Sequence, residues 1–93
     1  MPRYLIVRLF HVGQDMNGVG RRSREIVEDM DIVWEHSHVV VDDSGAVKTF
    51  CVYEAPHEAA IQEHAKRLGG HEVEVLAELA GDITPADFPP VQV

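Results

Sequence analysis

The segment Tyr4–Phe10, YLIVRLF, restricts the possible folds more than any other part of the chain. The run is too short for a stable solitary helix and rich in β-formers, with apolar residues at both odd and even positions. It therefore reads as a strand buried on both faces. Only Arg8 interrupts it. Such a strand needs neighbours on its edges and cover on each side, and the rest of the sequence has to supply them.

Gly13, Gly18 and Gly20 make a helix costly just after this strand, so the segment to Gly20 reads as loop. From there Ile26, Val27 and Met30 lie at helical spacing, with Ser23 at or near the start, and predict a helix over about 19–30. Ile32–Val41 and Val47–Glu54 are β-branched, partly alternating runs. Asp42-Asp43-Ser44-Gly45 between them has the residues of a hairpin turn. Pro56 suits a first helical position and Glu58 the opening turn of a second helix. That helix runs to Leu68 and ends at Gly69-Gly70, with Ala60, Ile61, His64, Ala65 and Leu68 on its buried face. In the last strand Val73, Val75, Ala77 and Leu79 alternate with Glu72, Glu74, Leu76 and Glu78, as in a half-buried edge strand. The proline-containing tail from Asp82 is irregular.

The order β, α, β, β, α, β predicts an α+β domain of the ferredoxin-like split βαβ kind, with helices on one face of an antiparallel sheet. Ninety-three residues leave room for one core and one domain, and an apolar content of 45% is enough to pack it. No stretch approaches the roughly 20 consecutive apolar residues of a bilayer span, and no signal-type segment follows Met1. A lone Cys51 forms no internal disulfide. These features predict a cytoplasmic protein. Sixteen acidic against 8 basic residues give a formal charge of −8, which disfavours nucleic acid as a partner.

Because helices cover only one sheet face, the other should read polar in a solitary domain. It does not: Leu5, Val7 and Leu9 are as apolar as Tyr4, Ile6 and Phe10, and the hairpin carries apolar residues on both sides. The simplest cover is the same face of a second copy, which predicts a two-fold sheet-on-sheet homodimer.

The sequence holds six histidines: His11, His36, His38, His57, His64 and His71. His36 and His38, two apart on a strand, project from one face and can converge on one ion. His57 and His64 lie near one stripe of the second helix, while His11 and His71 read as loop residues. Two hairpin registers are open. A loop of Asp43-Ser44-Gly45 pairs Asp42 with Ala46 and sets Phe50, Val52 and Glu54 on the face of His36 and His38, with Cys51 and Tyr53 pointing away. A two-residue turn at Asp43-Ser44 instead sets His36 opposite Cys51 and Tyr53 opposite Trp34. The first is preferred because Gly45 suits a positive φ and Ser44 does not. If the histidine face is also the helix face, His57 and His64 approach His36 and His38. Imidazole with carboxylate suits nickel, zinc or copper alike. No nucleophile elbow, P-loop, HExxH or CxxC is present, and Gly18-Val19-Gly20 lacks the strand–helix context of a dinucleotide fingerprint.

The segments Trp34–Val41, KTFCVYEAP over Lys48–Pro56, EHA over Glu63–Ala65 and Ile83-Thr84-Pro85 together resemble a bacterial family of unknown function. That family includes small nickel-responsive, nickel-binding proteins and is similar in fold to dimeric α+β barrels. The resemblance implies nickel binding, with His64 of EHA and Cys51, Tyr53 and Glu54 of CVYEAP as candidate ligands beside His36, His38 and His57. The first expectation is thus a non-enzymatic homodimer that buffers or senses nickel or another divalent transition metal. The second is a small-molecule binder or enzyme that uses a cavity between sheet and helices, with His or Tyr as acid or base.

Overall fold

In the computed structural model, which describes residues 1–91, the apolar run becomes strand β1 (Arg3–Phe10), an inner strand of a four-stranded sheet. Helix α1 (Met16–Glu28), strands β2 (Val33–Val41) and β3 (Val47–Glu54), helix α2 (Glu58–Leu68) and strand β4 (Glu72–Glu78) follow, then a short 3₁₀ turn at Pro85–Asp87. The sheet order is β2-β3-β1-β4, antiparallel throughout. This is the α+β ferredoxin-like arrangement that the element order predicts.

Helix α1 starts at Met16, earlier than its glycines suggest. Met16 and Val19 pack with Phe10 and Leu68, and this burial outweighs the roughly 1 kcal/mol that each glycine costs in a helix. Ser23 consequently lies inside the helix and is buried. At the other helix, Pro56 precedes the N-cap instead of opening the first turn. The cap is His57, whose Nδ1 accepts a hydrogen bond from the Ala60 amide at 3.2 Å. Gly69, at φ +62°, ends α2 in the left-handed region, as the sequence predicts.

The β2–β3 hairpin adopts the loop Asp43-Ser44-Gly45, with the Asp42 amide bonded to Ala46 O at 3.0 Å and Gly45 at φ +89°. The Ser44 hydroxyl and the Ser44 and Ala46 amides all donate to Asp42 Oδ1, and the Ser44 hydroxyl is the main influence holding that carboxyl below its ordinary range. Gly45→Ala forces a Cβ into this left-handed position and is expected to destabilise the fold by about 1–2 kcal/mol, read as a lower denaturation midpoint at unchanged slope.

From the turn inward His38 pairs with Phe50 and His36 with Val52. A bulge at Glu35 then shifts the register, and Trp34 falls opposite Tyr53. Elements of both predicted registers therefore occur in one hairpin. Arg3 fixes the bulge from across the sheet, with Nε and Nη2 donating to the two Glu35 oxygens at 2.8 and 3.1 Å and Nη1 donating to Asp82 at 2.8 Å. The bulge turns Trp34 and Ser37, three residues apart, to one side, where Trp34 Nε1 donates to Ser37 Oγ at 2.9 Å.

The pairings sort the side chains onto two faces. Tyr4, Ile6, Arg8, Phe10, Thr49, Cys51 and Tyr53 face the helices, and Tyr4, Ile6, Cys51, Tyr53, Ile61 and Ala65 form most of the larger of two core clusters. Leu5, Val7, Leu9, Phe50, Val52, His36 and His38 lie on the opposite, helix-free face. A second bulge, at Glu74, breaks the alternation read in β4: Val73 sits with Arg8 on the helix side and Val75 with Val7 on the bare side, both exposed, while Leu76 packs against the core.

Candidate functional site

Each face of the sheet gathers a different set of chemical groups. On the bare face His36 and His38 stand one strand period apart on edge strand β2, their ring centroids 5.2 Å apart and the rings nearly perpendicular. Both are exposed. Metal–imidazole bonds are about 2.0–2.1 Å long, so rings this close can share one ion after small rotations about their side-chain bonds. Glu54 belongs to the same face, one pairing step beyond Val52. Among the described residues no three His, Cys, Asp or Glu side chains are grouped closely enough to hold an ion. One chain alone therefore offers two imidazoles.

The other predicted ligands lie elsewhere. His57 is occupied with capping α2. Cys51 and Tyr53 point toward the helices, away from His36 and His38, and His64 projects from α2 into the same layer. The seven residues do not form one cluster, because the histidine pair and the helix layer are on opposite sides of the sheet.

Beneath α1 the helix-side residues build a polar group within apolar surroundings. Arg8, 2% exposed, donates through Nη1 to the Tyr53 hydroxyl at 3.1 Å and lies 3.0 Å through Nη2 from His64 Nδ1. Because the guanidinium only donates, His64 Nδ1 acts as acceptor and its proton resides on Nε2. That nitrogen is 3.2 Å from Ser23 Oγ and 3.4 Å from Ser23 O. Cys51 donates to Thr49 Oγ1 at 3.4 Å beside the group.

Burial, and secondarily the Arg8 charge, pull the His64 pKa down to about 4, so His64 is neutral at neutral pH. Burial pushes the Tyr53 phenol up, with Arg8 opposing the shift. Arg8 thus has no anionic partner: none of the ion pairs among the described residues includes it, and its buried Nε has no hydrogen-bond partner. Holding an ion in a protein interior costs on the order of several kcal/mol unless it is paired. The sequence carried a signal of this site, the single charge within YLIVRLF, but not its partners. Ser23 and Thr49 offered no signal because tertiary packing alone brings them in.

A cavity of about 370 Å³ opens over this group, lined by Arg8, Ser23, Thr49 and Tyr53 and walled by apolar residues that include Phe10, Val19 and Leu68. Its rim includes Val39 and Val41 of β2, which the helices leave 62% and 61% exposed.

Among the described residues no helix is long and apolar enough to cross a membrane. A search of curated proteins finds no match. Among solved structures, the crystal structure of SCO4226 from Streptomyces coelicolor A3(2) superposes with a TM-score of 0.63 at 18% identity, covering 87% of this chain and 99% of that one. The solution structure of the C-terminal domain of the MgtC protein from Mycobacterium tuberculosis gives 0.61 at 11% identity, covering 87% and 88% of the two chains. At these identities the likeness is one of fold. Family membership rests on the sequence, where the model described as "Nickel responsive protein SCO4226-like" matches residues 4–79. That span takes in both helices and all of the four strands but Arg3 at the start of β1, and with them both candidate sites: the chain belongs to the SCO4226-like family of nickel responsive proteins.

Proposed function

We propose that the protein is a homodimeric nickel-binding protein in which His36 and His38 supply the first protein ligands and the bare sheet face of a second copy closes over them. The observation that carries this reading is the histidine pair itself: two exposed imidazoles on one face, 5.2 Å apart, and without hydrogen bonds to other described residues. Paired imidazoles suit a borderline ion such as Ni²⁺ and also accept Zn²⁺ or Cu²⁺. The match to a nickel responsive family favours nickel among these. The same face carries the half-buried Leu5 and Phe50 over the buried Val7 and Val52, with Val75 exposed beside them, an apolar patch suited to an isologous contact that would bring a second histidine pair to the bare layer. Water or the second copy would fill the remaining positions, and the role of such a site is buffering or sensing of the ion. Catalysis has no part in this reading.

Calorimetric titration of metal-free protein with Ni²⁺ tests it. Binding heat is expected, with proton release that grows as the buffer is made acidic, because a ligating imidazole must be neutral. The double variant His36→Gln, His38→Gln should lose this heat while keeping its fold, since both residues are on the surface. Full nickel binding by that variant would remove the proposed site.

A further inference from the structure

We propose that the cavity between the sheet and α1 is a binding site for a small organic monocarboxylate, with the carboxylate on Arg8 and the apolar body against Phe10, Val19 and Leu68. Three features of the cavity support this, and none involves the histidine pair on the other face. Arg8 carries a fixed positive charge while 2% exposed, and no ion pair among the described residues offsets it. Its Nε–H is buried without a partner, although its two terminal nitrogens are held by Tyr53 and His64. Those two contacts orient the guanidinium but, being made to a phenol and a neutral imidazole, leave its charge uncompensated.

The walls decide the class of anion. A carboxylate matches the single charge and the planar donor edge of a guanidinium. Phosphate at neutral pH brings close to two negative charges, and the second would stay unpaired in largely apolar surroundings. A volume of about 370 Å³ is at the small end of ligand pockets and suits a compact ring or a short chain. The cavity is walled by Trp34, whose indole stacks on Tyr53 at 6.2 Å, so an occupant touches the protein's one tryptophan.

The probes are benzoate, phenylacetate and hexanoate, with benzyl alcohol and inorganic phosphate as controls, read by Trp34 fluorescence and by thermal stability. At least one carboxylate is expected to give a saturable change in emission and a rise in Tm, with the controls at least about tenfold weaker, as loss of a charge-assisted hydrogen bond dictates. Arg8→Met keeps the length of the side chain and removes the buried charge, a change that folded proteins often tolerate. It should abolish the response. Gly20→Leu provides a second route: Gly20 lines the cavity, a Cβ there meets nothing within 4 Å, and leucine favours helix, so this variant should fold and block the site. Three results would each overturn the proposal: no response to any of the three carboxylates, equal affinity for benzyl alcohol or phosphate, or unchanged binding in both variants. Nickel titration of Arg8→Met reports separately on the histidine pair, which neither substitution touches.

Discussion

Phe50→Glu is expected to turn a dimer into a monomer at micromolar concentration while leaving the protomer folded. Phe50 stands on the helix-free side of β3, between Val7 of β1 and His38 of β2, and is partly exposed in a single chain. Glutamate at this position remains hydrated in the isolated protomer. In a face-to-face dimer it would lose that water without gaining a partner for its charge. The change also removes a phenyl ring whose burial contributes about 1.5–3 kcal/mol. The two-fold axis counts every substitution twice, so the loss is about 3–6 kcal/mol, or roughly 10²- to 10⁴-fold in Kd. Sedimentation velocity of both proteins checks this. A wild-type chain that sediments as a monomer would remove the dimer, and a Phe50→Glu chain that remains dimeric would place the interface elsewhere.

The second large effect concerns acid. The unfolded chain holds His64 near its ordinary value of 6.5, and the fold lowers it to about 4. A depressed histidine pKa means that the unfolded state binds the proton more tightly. The contribution is therefore complete above pH 6.5, declines as the pH falls through that value, and is exhausted below about 4. Over this window it amounts to about 3 kcal/mol, a large part of the stability of a small domain. The physical events are the charging of an imidazole 3.0 Å from a guanidinium and the loss of the acceptor at Nδ1. His71, lowered chiefly by burial, shifts in the same direction and adds to the same limb. The comparison that isolates His64 is urea denaturation of wild type and His64→Gln at pH 7 and pH 4.5. The wild type should lose more stability between the two values than the variant does. Equal losses would mean that His64 takes up its proton in the folded state without resistance.

Much of the fold was legible in the sequence because local chemistry decided it. The ends of β3, the left-handed Gly45 and the glycine stop of α2 each follow from residue types within a few positions. The early start of α1 did not, since Met16 and Val19 gain from contact with Phe10 and Leu68, which a count of glycines cannot register. The bulge at Glu35 was also hidden: it depends on Arg3, 32 residues away, and on the Trp34–Ser37 contact. That displacement sends Trp34 to the side of Tyr53, whereas His36 and His38 keep the register read from the turn, so the candidate ligands divide across two faces as that register implies. His64 was recognised as buried and chemically notable, but its surroundings of Arg8, Ser23 and Tyr53 come from three other elements. Periodicity carries no information about such contacts.

The two faces keep the exposed histidine pair and the buried polar group apart. Exposed imidazoles on the bare side are free to take an ion, whereas the buried imidazole on the helix side is committed to Arg8 and Ser23. Cys51, enclosed in the same layer, faces away from the histidine pair. The most direct measurement of this division is anomalous scattering at the nickel edge from crystals grown with Ni²⁺. A peak is expected beside His36 and His38, between the sheets of two copies. A peak beside His64 or Cys51 under the helices, or no peak in nickel-saturated crystals, would contradict it.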